Sequence, residues 1–226
     1  RRTLDRRRHH HGRQPRPRVS DSRVRLALRT FVVTRIGSLA MSIASDIADQ
    51  LMTPADLYHR ARPVFMGIGL MWALAEFVAL AGLMALPGVL VPAAAAIIVG
   101  LLTSSCTIGA RAVYEFVTST AEPHPGFWLW GSSVLLGHTY LLLLLATIAG
   151  TAKALDARVS GALTGIVLAT VCARVLLFLA RASTEFHYDS RIVSSFWLPA
   201  LAWVLNYVAD VAFLVAALWL LRRARK

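Results

Sequence analysis

Five runs of about 20 mostly apolar residues dominate this chain, and each is long enough to cross the hydrocarbon core of a bilayer. They lie at about Phe65–Leu86, Val89–Ala110, Phe127–Gly150, Val159–Ala180 and Phe196–Leu221. Inside lipid no water is present to satisfy peptide N–H and C=O groups, so each run must close its backbone hydrogen bonds within itself, as a helix. The expected fold class is therefore all-α: a polytopic transmembrane helical bundle. Composition agrees. Of 226 residues 57% are hydrophobic and 16% charged, and the mean hydropathy is +0.59. That leaves too little polar surface to coat a soluble globule.

A further segment, Leu26–Ala48, is too polar to assign by hydropathy because Arg29, Arg35 and Asp46 interrupt it. Charge asymmetry decides the matter. With five spans the arginine-rich N-terminal arm and the terminal Arg222-Arg223-Ala224-Arg225-Lys226 would face opposite sides, against the positive-inside tendency. With six, both basic ends and the Lys153–Arg158 connection share one face, and the near-neutral connections around Asp49–Arg62, Arg111–Gly126 and Arg181–Val193 share the other. Six spans are favoured, with 26–48 as the first; the alternative is five plus an interfacial amphipathic helix. Arg29 would snorkel to the basic face, whereas Arg35 would need a partner.

Residues 1–25 form a basic arm with no apolar period, expected to be disordered, and 26–226 form the bundle. Its charge accounts for most of the formal +12. The arm has neither stacking aromatics nor a folded module, so nucleic acid is not an expected partner. Anionic lipid headgroups are, through Arg6, Arg7, Arg8, Arg222 and Arg223. The His9-His10-His11 run is read as part of the flexible arm. A chain starting at Arg1 is expected to be a processed form or part of a longer protein. Cys106 and Cys172 lie in apolar stretches without CxxC spacing and read as packing residues.

Pro87-Gly88 separates two spans so tightly that they should form an antiparallel hairpin. Small residues recur every four positions at Ala96, Gly100 and Ser104, and again at Gly161, Gly165, Ala169 and Ala173. Such stripes let helices approach closely, and packing within one subunit is the expectation.

Ionisable groups at membrane depth cost at least about 2.5–3.5 kcal/mol each on insertion scales, so they mark where function is sought. Glu76, His138, Asn206 and Asp210 fall near the middle of their spans, and Arg174 about a third of the way in. Asn206 and Asp210 share one helical stripe with Trp203, as Trp72 and Glu76 do on another span. One reading is a midplane site in which Glu76 and Asp210 exchange protons, with His138 as relay and Arg174 as fixed charge. The other is structural: Arg174 pairs with one carboxylate and interhelical hydrogen bonds satisfy the rest.

On the face opposite the termini, three connections carry histidine beside carboxylate: Asp56 and His59; Glu122 and His124; Glu185, His187 and Asp189. His59, His124, His187 and Asp189 make a weak candidate set for a divalent metal, since no pair has HExxH-type spacing. No cofactor is otherwise favoured.

Family motifs give no assignment. GxSG, paired midmembrane histidines and CxxC are all missing. Leu155-Asp156-Ala157-Arg158-Val159-Ser160-Gly161 faintly resembles a CDP-alcohol phosphotransferase motif, whose downstream aspartates are missing here. Three functions fit the residues: a non-catalytic subunit or scaffold of a larger membrane complex, which is ranked first; a small proton-coupled transporter or channel using Glu76 and Asp210; or a membrane enzyme acting on lipid or another apolar substrate. Other membrane subunits or self-association are expected, in a bacterial plasma membrane or mitochondrial inner membrane, with both termini on the cytoplasmic or matrix side.

Overall fold

A chain whose apolar runs must satisfy their own peptide groups folds as helices, and the computed structural model has six of them among its described residues. It describes residues 21–53, 61–116, 125–185 and 197–225. The helices are α1 (Asp21–Leu51), α2 (Arg62–Leu83), α3 (Leu90–Phe116), α4 (Pro125–Ala154), α5 (Gly161–Glu185) and α6 (Trp197–Arg223). All six are long and apolar enough to cross a membrane, including the marginal first, Ser22–Ala48. Large apolar side chains such as Leu70, Val78, Val91, Ile98, Leu168 and Val215 face outward, as a lipid-facing surface requires.

Each helix packs on its neighbours in sequence, and α6 returns to α1, so the six form a closed ring. Arg35 of α1 meets Asp210 and Phe213 of α6 and Asp46 meets Tyr207, so the two helices run antiparallel, which places the start of α1 and the end of α6 at the same end of the bundle. We call this the termini end and the other the far end.

The turns at the termini end are closely specified. Between α2 and α3 the chain turns over residues 84–89, with Gly88 at φ 79° and its carbonyl packed where a Cβ on Gly150 would come within 3.2 Å. Only glycine fits both requirements without strain. Helix α4 ends in a Schellman arrangement: Asp156 takes the left-handed conformation at φ 52°, Ala157 N–H donates to Ala152 C=O at 2.8 Å, and Asp156 N–H to Lys153 C=O at 3.2 Å. Ser160 then caps α5, its Oγ accepting from Ala162 N–H at 3.2 Å.

The apolar core is concentrated toward the termini end. Phe31, Leu80, Leu83, Val89, Leu144, Ile148, Val167, Phe213 and Leu220 are all sealed there. Beyond the level of Arg35 and Glu76 few described side chains on α1, α2 and α3 are buried. Packing is therefore tight in one half of the membrane and open in the other, with the midplane polar groups at the boundary.

The small-residue stripes behave differently from one another. Ala96 and Gly100 are buried, and a Cβ on Gly100 would lie 2.6 Å from the Phe77 ring and 3.1 Å from Tyr140. Gly161 and Gly165 have nothing within 4 Å of a Cβ, and with Ala169 they face out of the bundle. Only Ala173 of that stripe is buried. The expectation of packing within one subunit holds for the α3 stripe and not for most of the α5 stripe.

Candidate functional site

The midplane groups assemble around Arg35, the residue that interrupts the marginal first span. Its Nη1 donates to Asp210 Oδ1 on α6 at 3.0 Å, and its Nη2 to Glu76 Oε1 on α2. The guanidinium sits between the rings of Phe31 and Phe213, with centroids at 5.3 and 5.5 Å, where the negative π faces favour a cation. Its Nε is buried without a hydrogen-bond partner among the described residues. Arg35 and Glu76 side chains are 6% and 8% exposed and Asp210 17%, so the group is closed to solvent on the α2 side and looser on the α6 side.

Sequence position explains why these three meet. Glu76 is one turn from Trp72, whose indole lies directly on Gly37 and leaves no room for a Cβ there. That contact draws α1 against α2 two residues beyond Arg35. Tyr140 of α4 lies beside the Glu76 carboxylate and against Gly100.

Asn206 and Arg174 form the second part. Arg174 Nη2 of α5 donates to Asn206 Oδ1 of α6, one turn from Asp210. Thr170, one turn along α5, shares its hydroxyl proton between Ile166 C=O at 2.8 Å and Leu205 C=O of α6 at 3.0 Å. Arg174 thus makes no ion pair of the kind the structural reading gave it, and stands as the nearby charge of the other. Arg35 holds both carboxylates, and Arg174 contributes through space to Asp210. His138 is buried near Arg174, and among the described residues its ring is served only by a poorly formed contact with the Val134 backbone one turn back on its own helix. No direct hydrogen bond joins it to Glu76 or Asp210 among the described residues. Tyr207 donates its hydroxyl to Asp46 Oδ2 of α1, linking Asp210's own helix toward the far end.

Two arginines and two carboxylates, from α1, α2, α5 and α6, make this layer formally neutral. That balance offsets part of the cost of placing four charges at membrane depth. Beside it, between α3, α4 and α5, lies a cavity of about 320 Å³ lined by Thr103, Trp130, Ser133, Gly137, Arg174 and Phe178, among others. A larger apolar groove of about 620 Å³ runs between α2 and α3 past Gly67, Gly69 and Thr107, and Thr103 borders both.

Sequence reasoning marked Glu76, His138, Arg174, Asn206 and Asp210 by depth alone, and missed Tyr140, Tyr207 and the two phenylalanines around Arg35. Aromatic residues in an apolar run carry no signal of that kind. Arg35 carried one, its need for a partner, without saying which. His59, His124, His187 and Asp189, like Arg6, Arg7 and Arg8, lie outside the described residues, and no three His, Cys, Asp or Glu side chains gather as a metal site among the described ones. Arg222 and Arg223 are exposed at the termini end. Comparison with protein-family models, with curated proteins and with solved structures finds no match for this chain.

Proposed function

We propose that this integral membrane protein is a small proton-linked carrier, with Glu76 and Asp210 as the proton-exchanging groups and both termini on the cytoplasmic or matrix side. The observation that supports it is the position of the neutral layer Glu76–Arg35–Asp210–Arg174. It lies where a tightly sealed half of the bundle meets an open half, next to a cavity into which Arg174 projects. A purely structural role is served as well by small residues, because a buried ion pair seldom stabilises more than apolar side chains of the same volume. A layer whose charges balance, by contrast, can take up or release a proton whenever a charged solute enters, and that is what coupling requires. Asp46 and Tyr207 supply hydrogen-bonding groups between the far end and Asp210.

Proteoliposomes loaded with a pH-sensitive dye test the reading. Organic acids and amines presented one at a time, under an acid-outside gradient, should reveal a solute that acidifies the lumen with the wild-type protein and not with Asp210→Asn or Glu76→Gln. If no solute acidifies the lumen faster than protein-free vesicles, the carrier reading is lost.

A second reading, a subunit of a larger membrane complex, is supported by the exposed Gly161, Gly165 and Ala169 face, which offers a close-approach surface to another helix. Co-purification of a stoichiometric partner in mild detergent, lost on Gly165→Leu, tests it.

A further inference from the structure

We propose that the Arg174 cavity binds a small organic monoanion, a carboxylate attached to an apolar or aromatic body, and that this is the solute of the carrier reading, on which the second clause rests. Arg174 is the one charged side chain among the described residues that line the cavity. One of its five N–H donors is committed to Asn206, and the others have no acceptor among the described residues. A planar guanidinium with donors to spare is matched to a carboxylate, which it can hold through two parallel hydrogen bonds.

The rest of the lining selects the body of the ligand. Trp130 and Phe178 stand as a wall, with ring centroids 5.7 Å apart and planes tilted by 35°, and Val134 and Leu177 continue it. Thr103 and Ser133 already donate their hydroxyl protons to Val99 C=O and Trp130 C=O, each at 2.7 Å. Their protons are therefore committed, and the guanidinium is the charged donor set that the described lining offers an anion. A volume of about 320 Å³ is at the small end of ligand sites and suits a body of one ring or a short chain. A cation would meet Arg174 directly. A dianion would overbalance a layer that holds one unused positive fork.

Charge counting links the site to the proton groups. With the cavity empty, Arg35 and Arg174 balance Glu76 and Asp210. A bound monoanion adds one negative charge beside Arg174, and a proton taken up with it restores neutrality. The groups placed to share in that response are Arg35 and Asp46 on α1, Glu76 on α2, His138 and Tyr140 on α4, Arg174 on α5, and Tyr207 with Asp210 on α6.

Isothermal titration of the whole protein in lipid nanodiscs with benzoate is the test, with benzyl alcohol as the uncharged analogue and chloride as the inorganic anion. Benzoate should bind saturably at a single site, with benzyl alcohol and chloride at least about tenfold weaker, as loss of a charge-assisted contact implies. Arg174→Gln should weaken benzoate at least about tenfold. Gly137→Leu should do the same by filling the cavity, because a Cβ at 137 points at Thr103 Cγ2, 3.9 Å away. That variant keeps Arg174 and Asn206, so the site is still tested if Arg174→Gln does not fold. The proposal is overturned if the wild type does not bind benzoate, or if both folded variants bind it undiminished. Asp210-dependent flux of other solutes without benzoate binding would remove this site and leave the carrier; benzoate binding without any proton-linked flux would do the reverse.

Discussion

Arg35 and Asp210 are 175 positions apart and joined by a hydrogen bond of 3.0 Å, which closes the helical ring by tying its first span to its last. The same guanidinium holds Glu76, so a side chain that makes α1 marginal as a membrane span is also what holds α1 in place.

Removing that cation leaves two buried carboxylates facing each other. Arg35→Leu should cost about 3–5 kcal/mol, the usual penalty for breaking a buried ion pair on one side. Thermal unfolding in detergent reads the loss. Replacing all three, as Arg35→Leu with Glu76→Leu and Asp210→Leu, should recover most of it, because no charge is then left unpaired. A single variant of wild-type stability would show that the guanidinium is not their shared partner.

Gly37 has no room for a side chain against Trp72. Gly37→Ala should cost about 1–3 kcal/mol through forced repacking of a rigid indole. Adding Trp72→Leu should return part of that, since the two residues are in contact and their effects do not add. Additive losses in the double variant would mean that the contact is not where the strain falls.

Gly100 and Gly165 offer a matched pair. A Cβ at 100 meets Phe77 at 2.6 Å, while one at 165 meets nothing within 4 Å. Gly100→Ala should destabilise by about 1–3 kcal/mol, and Gly165→Ala should change stability by less than about 0.5 kcal/mol. Equal effects in unfolding measurements would contradict the assignment of one stripe to the interior and the other to the surface.

His138 is a buried ring with two nitrogens and, among the described residues, only a poorly formed contact with the Val134 backbone. Exchanging it for an apolar side chain of similar size removes an under-satisfied group, so His138→Leu should raise stability by about 1 kcal/mol. A loss of that size instead would show that the imidazole has a partner in the membrane-embedded protein.

Much of this architecture can be read from the chain. Five helices follow from apolar length, and the sixth follows from charge asymmetry, because two basic ends on one side require an even number of crossings. Depth alone marks Glu76, His138, Arg174, Asn206 and Asp210. Depth does not say how each helix is rotated or which helices are neighbours across the ring, and those two facts decide that Arg35 rather than Arg174 takes the carboxylates. The α5 stripe shows the same limit: Gly161 and Gly165 have the spacing of an interior seam and face outward, since spacing defines a stripe without saying what lies against it.

The central claim is that the carboxylates held by Arg35 exchange protons with transported solute, and proton flux measured in dye-loaded proteoliposomes tests it most directly. Wild-type protein should acidify the lumen in a solute-dependent way, and Asp210→Asn, folded and incorporated to the same level, should reduce that rate to the protein-free background. Undiminished, solute-dependent acidification with Asp210→Asn would contradict the account.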